Sequence, residues 1–119
     1  MAEKNRTNSP AAKKSRVRLA IRQKVEDYLA HLQAQGLSIQ SAYIFGSQVS
    51  NGTGQWSDID LCVVSKNFGP RNDGITYLWR QLRKQDVQAG IEPVGFHPKE
   101  FTDDIPLVWE ILQRGVRIV

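Results

Sequence analysis

The sequence predicts an α/β (α+β) fold in which a mixed β-sheet is flanked by helices. In some segments the apolar residues recur at three- and four-residue steps, and in others they form short runs, patterns typical of helices and strands respectively. These segments follow the order α-β-(α)-β-α-β-α-β, which requires a sheet backed by helices. At 119 residues the chain predicts a single folded domain over 16–119, after a basic tail over 1–15.

The first half of the chain predicts one long helix and two strands. The apolar residues of segment 16–35 follow the helical period, and Gly36 ends that helix. A short strand over 41–45 leads into Gly46 and Ser47 and a brief helical turn. A glycine-rich loop then leads to the second strand, over 59–65.

The second half predicts two more helices and two more strands. The helix after the loop at 68–74 has Leu78 and Trp79 on its apolar side, together with Ile75 and Leu82. The third strand spans 91–96, and its proline, Pro93, indicates an edge position or a strand end. A last helix with Pro106 in its first turn ends at Gly115, and 116–119 predicts a short final strand. Both Trp79 and Trp109 are expected in the core.

The composition excludes several classes of protein. With 40% hydrophobic and 24% charged residues, the chain is typical of a globular domain. No apolar run approaches the roughly 20 residues of a membrane-spanning helix, and the first residues lack the apolar core of a signal peptide, so we expect a cytoplasmic protein without a membrane contact. The single cysteine, Cys62, excludes an internal disulfide and a cysteine-rich zinc site.

The net charge of +4 is unevenly distributed. Residues 1–24 hold eight Lys or Arg and one Glu, a net charge of +7, whereas the remainder carries a net charge of −3. A solvated tail explains this pattern, and a weak contact with nucleic acid or an acidic partner is the alternative. The tail has no aromatic residue to stack on bases, which argues against a dedicated single-strand binder. Only the tail is suited to a polyanion, so we expect no nucleic-acid binding beyond it.

Two carboxylates, Asp58 and Asp60, stand two positions apart at the start of the second strand. Successive side chains of a strand alternate, so both point to the face that also carries Cys62. Two neighbouring carboxylates repel each other and are costly to desolvate, and a divalent cation between them removes that cost. Oxygen ligands of this kind suit Mg²⁺, which typically binds one or two carboxylates together with substrate phosphates.

Three further residues extend this pattern. Gly46 after a strand lets the backbone approach a phosphate, and Ser47 adds a hydroxyl. Glu92 lies in an otherwise apolar segment, where an unpaired carboxylate is rarely buried. If the third strand neighbours the second, Glu92 faces Asp58 and Asp60, and the three acids can hold two metal ions about 4 Å apart. Glu92 is then placed to help deprotonate an attacking hydroxyl.

The run from Tyr43 through Gly46-Ser47, followed after ten residues by Asp58-Ile59-Asp60, resembles the signature of the DNA polymerase β-type nucleotidyltransferases. It is most similar to the small minimal nucleotidyltransferases, as are segments 92–98 and 105–116. The resemblance implies the nucleotidyltransferase fold and transfer of a nucleoside monophosphate, AMP in several members, from an NTP such as ATP to a hydroxyl. It also implies that Gly46 and Ser47 bind the triphosphate, and that Asp58, Asp60 and Glu92 bind Mg²⁺ and serve catalysis.

Several small members of this family are antitoxins that add AMP to a helical HEPN-domain toxin encoded beside them. The resemblance therefore implies a partner protein of the HEPN type as acceptor. One alternative is a catalytically weak or inert module that neutralises its partner by contact alone. A third interpretation is modification of a small molecule such as an antibiotic, for which a homo-oligomer would have to supply the missing wall of the acceptor site.

The chain departs from many relatives in the loop over 48–57, which contains no basic residue. The charge of the phosphates must then be met by metal ions, by backbone N–H groups or by a basic residue from elsewhere. Lys66, Arg71 and the cluster Arg80, Arg83 and Lys84 are the candidates.

Overall fold

The computed structural model describes residues 17–50, 58–69 and 73–119. Within these ranges the helices α1 to α5 span Leu19–Ala34, Ser47–Ser50, Gly74–Arg80, Lys84–Ala89 and Pro106–Arg114. The strands β1 to β4 span Ser41–Phe45, Ile59–Val64, Ile91–Phe96 and Val116–Arg117, and a 3-10 turn spans Pro98–Glu100. The predicted tail and glycine-rich loop lie outside the described residues.

The strands form one mixed sheet in the order β3-β2-β1-β4. Strand β1 pairs antiparallel with both β2 and β4, and β2 pairs parallel with β3. The predicted mixed sheet flanked by helices is therefore confirmed. Strand β3 is an edge strand, as Pro93 indicated, and the outward-facing carbonyl of Pro93 accepts a hydrogen bond from Trp79 Nε1 at 3.0 Å.

Each face of the sheet packs against different helices. Alternate residues of β2 enter two separate apolar clusters, as the period of a strand requires. The first cluster joins the sheet to α1 and α3 and includes Tyr28, Leu32, Ile59, Leu61, Val63 and Leu78. The second joins it to α5 and includes Phe45, Cys62, Val64 and Ile111. We call the sheet face that packs on α1 the α1 face, and the other the α5 face.

The segment 73–90 departs from the prediction of one helix. It forms two short helices, α3 and α4, and only Leu78 of the predicted apolar side is fully buried. The expectation that both tryptophans lie in the core is wrong, because Trp79 is 49% and Trp109 46% exposed. A short helix on a sheet buries a narrow stripe, and Trp79 instead directs its N–H to the carbonyl of Pro93 at the sheet edge. In the described ranges, no helix is long and apolar enough to cross a membrane.

Hydrogen bonds between charged side chains connect the start of α4 to α1. Asp86 is almost fully buried and accepts hydrogen bonds from Arg83 Nε at 2.8 Å, from Arg83 Nη2 at 3.0 Å and from the Arg83 backbone N–H at 2.8 Å. Arg83 Nη2 also donates to Asp27 of α1 at 2.7 Å. Because Asp86 is buried, its bonds with Arg83 contribute more to stability than an exposed ion pair would.

Replacing Asp86 by Ala is expected to lower the free energy of unfolding by about 2–3 kcal/mol, because the change leaves the partly buried guanidinium of Arg83 without its main partner. The matched control is Glu110→Ala, which removes an exposed pair with Arg114 at 3.8 Å and should cost less than about 1 kcal/mol. Urea denaturation of both variants measures the difference. Equal losses would show that the Arg83 network is no more important than a surface pair.

Candidate active site

Three carboxylates gather at one end of the sheet. Asp58 directly precedes β2 and is exposed, and Asp60 is the second residue of that strand and is half-buried. The parallel pairing of β2 with β3 places Glu92 opposite Asp60, and the antiparallel pairing with β1 places Phe45 on its other side. Directly opposite residues of paired strands point to the same face. Asp60 and Glu92 therefore lie side by side on the α5 face.

The turn after β1 closes against the same carboxylates. Gly46 has a φ of +75°, a left-handed conformation that strongly favours glycine. A Cβ atom added there would stand 2.2 Å from Asp60 Oδ2, far closer than any non-bonded contact allows. The backbone of Gly46 thus occupies the space next to the Asp60 carboxylate. Ser47 follows as the exposed first residue of α2, so both predicted phosphate-binding residues lie at the acidic end of the sheet.

The pKa values of Asp60 and Glu92 are both raised. The pKa of Asp60 is raised by burial and, to a smaller extent, by the charge of Asp58. The pKa of Glu92 is raised mainly by a hydrogen bond with Asp58, then by burial and by the charges of Asp58 and Asp60. Among the described residues, no basic group offsets either shift. This end of the sheet therefore carries an excess of negative charge that a cation would relieve.

The donor set fits a hard divalent cation. Asp58, Asp60 and Glu92 offer only carboxylate oxygens, the donors that Mg²⁺ prefers. Within the described ranges, no group of three or more Asp, Glu, His or Cys side chains is arranged to hold a metal ion. Such a group is not required, because Mg²⁺ commonly keeps water and substrate phosphates as ligands beside one or two carboxylates. Burial raises the pKa of Asp60 and a hydrogen bond with Asp58 raises that of Glu92, and neighbouring negative charge adds to both shifts. A bound cation would relieve this negative charge.

The comparison with protein families agrees with this geometry. The family model described as "Polymerase beta, Nucleotidyltransferase" matches residues 23–119. The chain belongs to this nucleotidyltransferase family. No curated protein matches the chain.

The basic residues suggested for phosphate binding are not equally close to the acidic end of the sheet. Lys66 follows the carboxyl end of β2, whereas the acids lie at its amino end. At the usual rise per residue of a strand, the two ends are about 20 Å apart. Arg83 is engaged by Asp27 and Asp86. Arg80 and Lys84 lie on α3 and α4, helices that belong to the α1 face or its edge. Arg71 lies outside the described residues.

The sequence pattern did not indicate one relation at the acidic end of the sheet, the close approach of Gly46 to Asp60. Fourteen positions separate the two residues, and their contact follows from the pairing of Phe45 with Asp60. Two signals in the sequence bear on it: a glycine directly after one strand and a carboxylate near the start of the next. Neither signal sets the register between the strands.

Proposed function

We propose that this chain is a Mg²⁺-dependent nucleotidyltransferase that moves AMP from ATP to a hydroxyl group on a partner protein. The observation that carries the proposal is the placement of Asp60 between Glu92 and the Gly46 turn, with Asp58 beside them. Membership of the nucleotidyltransferase family supports the reaction class. The choice of Mg²⁺ rests on the oxygen-only donor set.

In this reaction the acceptor oxygen attacks the α-phosphorus of ATP, and the bond to the bridging oxygen breaks. Pyrophosphate leaves with the electron pair of the broken bond. A base must take up the proton of the acceptor hydroxyl. Bound Mg²⁺ would supply charge stabilisation to the attacking and leaving oxygens. We assign uptake of this proton to Glu92, because its carboxylate stands directly opposite Asp60 on the neighbouring strand.

Asp58 and Asp60 hold the cation in this proposal, and the Gly46 turn brings backbone close to the phosphates. Asp60 is fixed on both sides, by the paired strand β3 and by the Gly46 backbone, so its carboxylate is positioned before substrate arrives. Asp58 is exposed and shares a hydrogen bond with Glu92. The arrangement pairs one half-buried ligand with one exposed ligand.

A partner protein is the acceptor that we propose, and the resemblance to the minimal nucleotidyltransferases suggests a helical HEPN-domain toxin. The described residues form one sheet with its helices, and the acids lie at the end of that sheet rather than inside a deep cleft. A second protein can therefore present a hydroxyl on its own surface. A small acceptor would need a binding wall that the described part of the chain does not supply.

The test is transfer of label from ATP that is radiolabelled at the α-phosphate. Wild type, Asp58→Ala and Asp60→Ala would each be incubated with Mg²⁺ and the candidate toxin or a lysate, and the labelled proteins would be separated and identified. Label on one protein that appears with wild type and disappears with both variants would support the proposal. Transfer by either variant at the wild-type rate would refute it. Neutralisation of a toxin without any label would favour the module that acts by contact alone.

A further inference from the structure

The negative end of the sheet needs a positive group to receive the phosphates of ATP. The loop over 48–57 contains no Lys or Arg, and no cation in the described part of the chain offsets the charges of Asp60 and Glu92. Metal ions held by the carboxylates would neutralise the phosphates nearest to them. The pyrophosphate that leaves carries further negative charge, which a guanidinium group can bind by two parallel hydrogen bonds.

The basic residues of the described ranges can be classified by the face of the sheet on which they lie and by the end of the sheet to which they are near. The carboxylates of Asp60 and Glu92 lie on the α5 face, at the end where β2 begins. Most basic residues lie on, or directly before, helices of the opposite face or its edge, namely Arg18, Arg22, Lys24, Arg80, Arg83 and Lys84. Lys66 and Lys99 follow the carboxyl ends of β2 and β3, at the opposite end of the sheet. Two arginines are left, Arg114 and Arg117.

Arg117 is already engaged. Its guanidinium lies 5.9 Å from the ring centroid of Tyr43, and its Nε donates to the carbonyl of Val119 at 2.6 Å. Phe45 pairs with Asp60, and Tyr43 lies two residues before Phe45 on β1. The contact with Tyr43 therefore holds Arg117 further along β1, away from the acids.

Arg114 meets both criteria, because it belongs to the helix on the α5 face and lies near the end of the sheet that carries the acids. It is the last residue of α5, the helix whose Ile111 packs on the α5 face with Phe45 and Cys62. Arg114 comes one turn after Ile111, at the end of the helix, and its side chain is largely exposed rather than packed on the sheet. The next residue, Gly115, stands against the carbonyl of Ile44, where an added Cβ would lie 3.3 Å from that oxygen. The chain at Arg114 is thus beside the end of β1 that leads to Gly46.

The present partner of Arg114 is easily exchanged. Its Nε lies 3.8 Å from Glu110 Oε2, and the two side chains are 65% and 42% exposed. Exposed pairs of this kind contribute at most about 1 kcal/mol and are screened by salt. A phosphate offers shorter, charge-assisted hydrogen bonds and more charge than a single carboxylate.

We propose that Arg114 binds the phosphates of ATP beyond the α-phosphate and offsets the charge of the departing pyrophosphate. The proposal rests on the proposed nucleotidyl transfer and adds a residue that the sequence pattern did not indicate. It makes the end of α5 part of the substrate site and explains how a chain without a basic residue between Ser47 and Asp58 can hold a triphosphate.

Calorimetric titration of ATP and of AMP, each with Mg²⁺, tests this proposal. Arg114→Ala should weaken ATP binding by about 10- to 100-fold, the effect of losing charge-assisted hydrogen bonds, and change AMP binding less than about twofold. Arg114→Lys should retain part of the affinity, because a lysine keeps the charge without the fork of donors. Arg80→Ala is the matched control, with the same change of charge in a residue of α3, and should bind ATP like wild type.

Each outcome of the titrations supports or overturns the proposal. Selective loss of ATP affinity in Arg114→Ala, with a wild-type melting temperature, supports it. Equal ATP affinity in Arg114→Ala and Arg80→Ala overturns it and leaves the proposed transfer intact. Parallel weakening of ATP and AMP shows a structural role for Arg114 and also overturns it. If wild type binds no ATP, the proposed function is overturned, and the role of Arg114, which rests on it, is overturned as well.

Discussion

Replacement of Gly46 by Ala should reduce nucleotidyl transfer by about 100-fold or more, the typical effect of moving a reacting group by about 1 Å. A methyl group at this position would stand 2.2 Å from Asp60 Oδ2, so either the carboxylate or the turn must move. The φ of +75° adds backbone strain for any residue with a Cβ atom. Loss of transfer is the expected result, because Asp60 is then displaced from both Glu92 and the cation.

The control for Gly46 is Gly36→Ala. Gly36 also has a positive φ, +98°, but an added Cβ there meets nothing within 4 Å. It therefore reproduces the backbone strain, about 1 kcal/mol, without the collision. Initial rates of transfer at saturating ATP, together with melting temperatures, separate the two effects. A Gly46→Ala enzyme that is as active as Gly36→Ala would show that the contact with Asp60 does not position the carboxylate for catalysis.

Asp60→Asn should have opposite effects on activity and stability. Transfer should fall by about 10³-fold or more, because stabilisation of charge by a metal ion is worth several kcal/mol. The metal-free protein should nevertheless melt at a higher temperature than wild type, because the substitution removes a half-buried charge that lies beside Asp58 and Glu92. Asp103→Asn, which neutralises an exposed acid before α5, is the matched control and should change neither property.

The pH dependence of stability is an independent test of the predicted stabilisation by Asp60→Asn. The folded protein keeps protons on Asp60 and Glu92 above their ordinary pKa values of 3.8 and 4.5. The stability that these protons contribute is fully present below those values and is lost as the pH rises through the raised values. Metal-free wild type should therefore lose stability across that range, and Asp60→Asn should lose less. A metal-free Asp60→Asn protein that melts below wild type at neutral pH would contradict the account.

Much of the fold was predictable from the sequence because its segments have clear periods and clear ends. The third strand was predicted at 91–96, where the structure has Ile91–Phe96, and Gly115 was predicted to end the last helix, which stops at Arg114. The alternation in β2 correctly assigned Asp60 and Cys62 to one face and Leu61 to the other. In each case a local pattern is sufficient, because the side-chain period alone determines the face.

The sequence could not show relations that depend on pairing between distant segments. The order β3-β2-β1-β4 decides that Glu92 stands beside Asp60, and the register of β1 with β2 decides that Gly46 meets Asp60. The burial of Trp79 was wrongly predicted because its helical position permits either the core or the sheet edge, and a hydrogen bond to Pro93 places it at the edge. The position of Arg114 likewise depends on the path of α5 across the sheet.

We propose that Asp58, Asp60 and Glu92 form a cation-dependent nucleotide site. The decisive measurement is calorimetric titration of wild type with ATP, in Mg²⁺ and in EDTA, with Asp60→Asn measured alongside. We expect binding in Mg²⁺, no binding in EDTA, and loss of the Mg²⁺-dependent binding in Asp60→Asn. ATP binding of equal strength in Mg²⁺ and EDTA, unchanged in Asp60→Asn, would show that the three carboxylates do not form such a site.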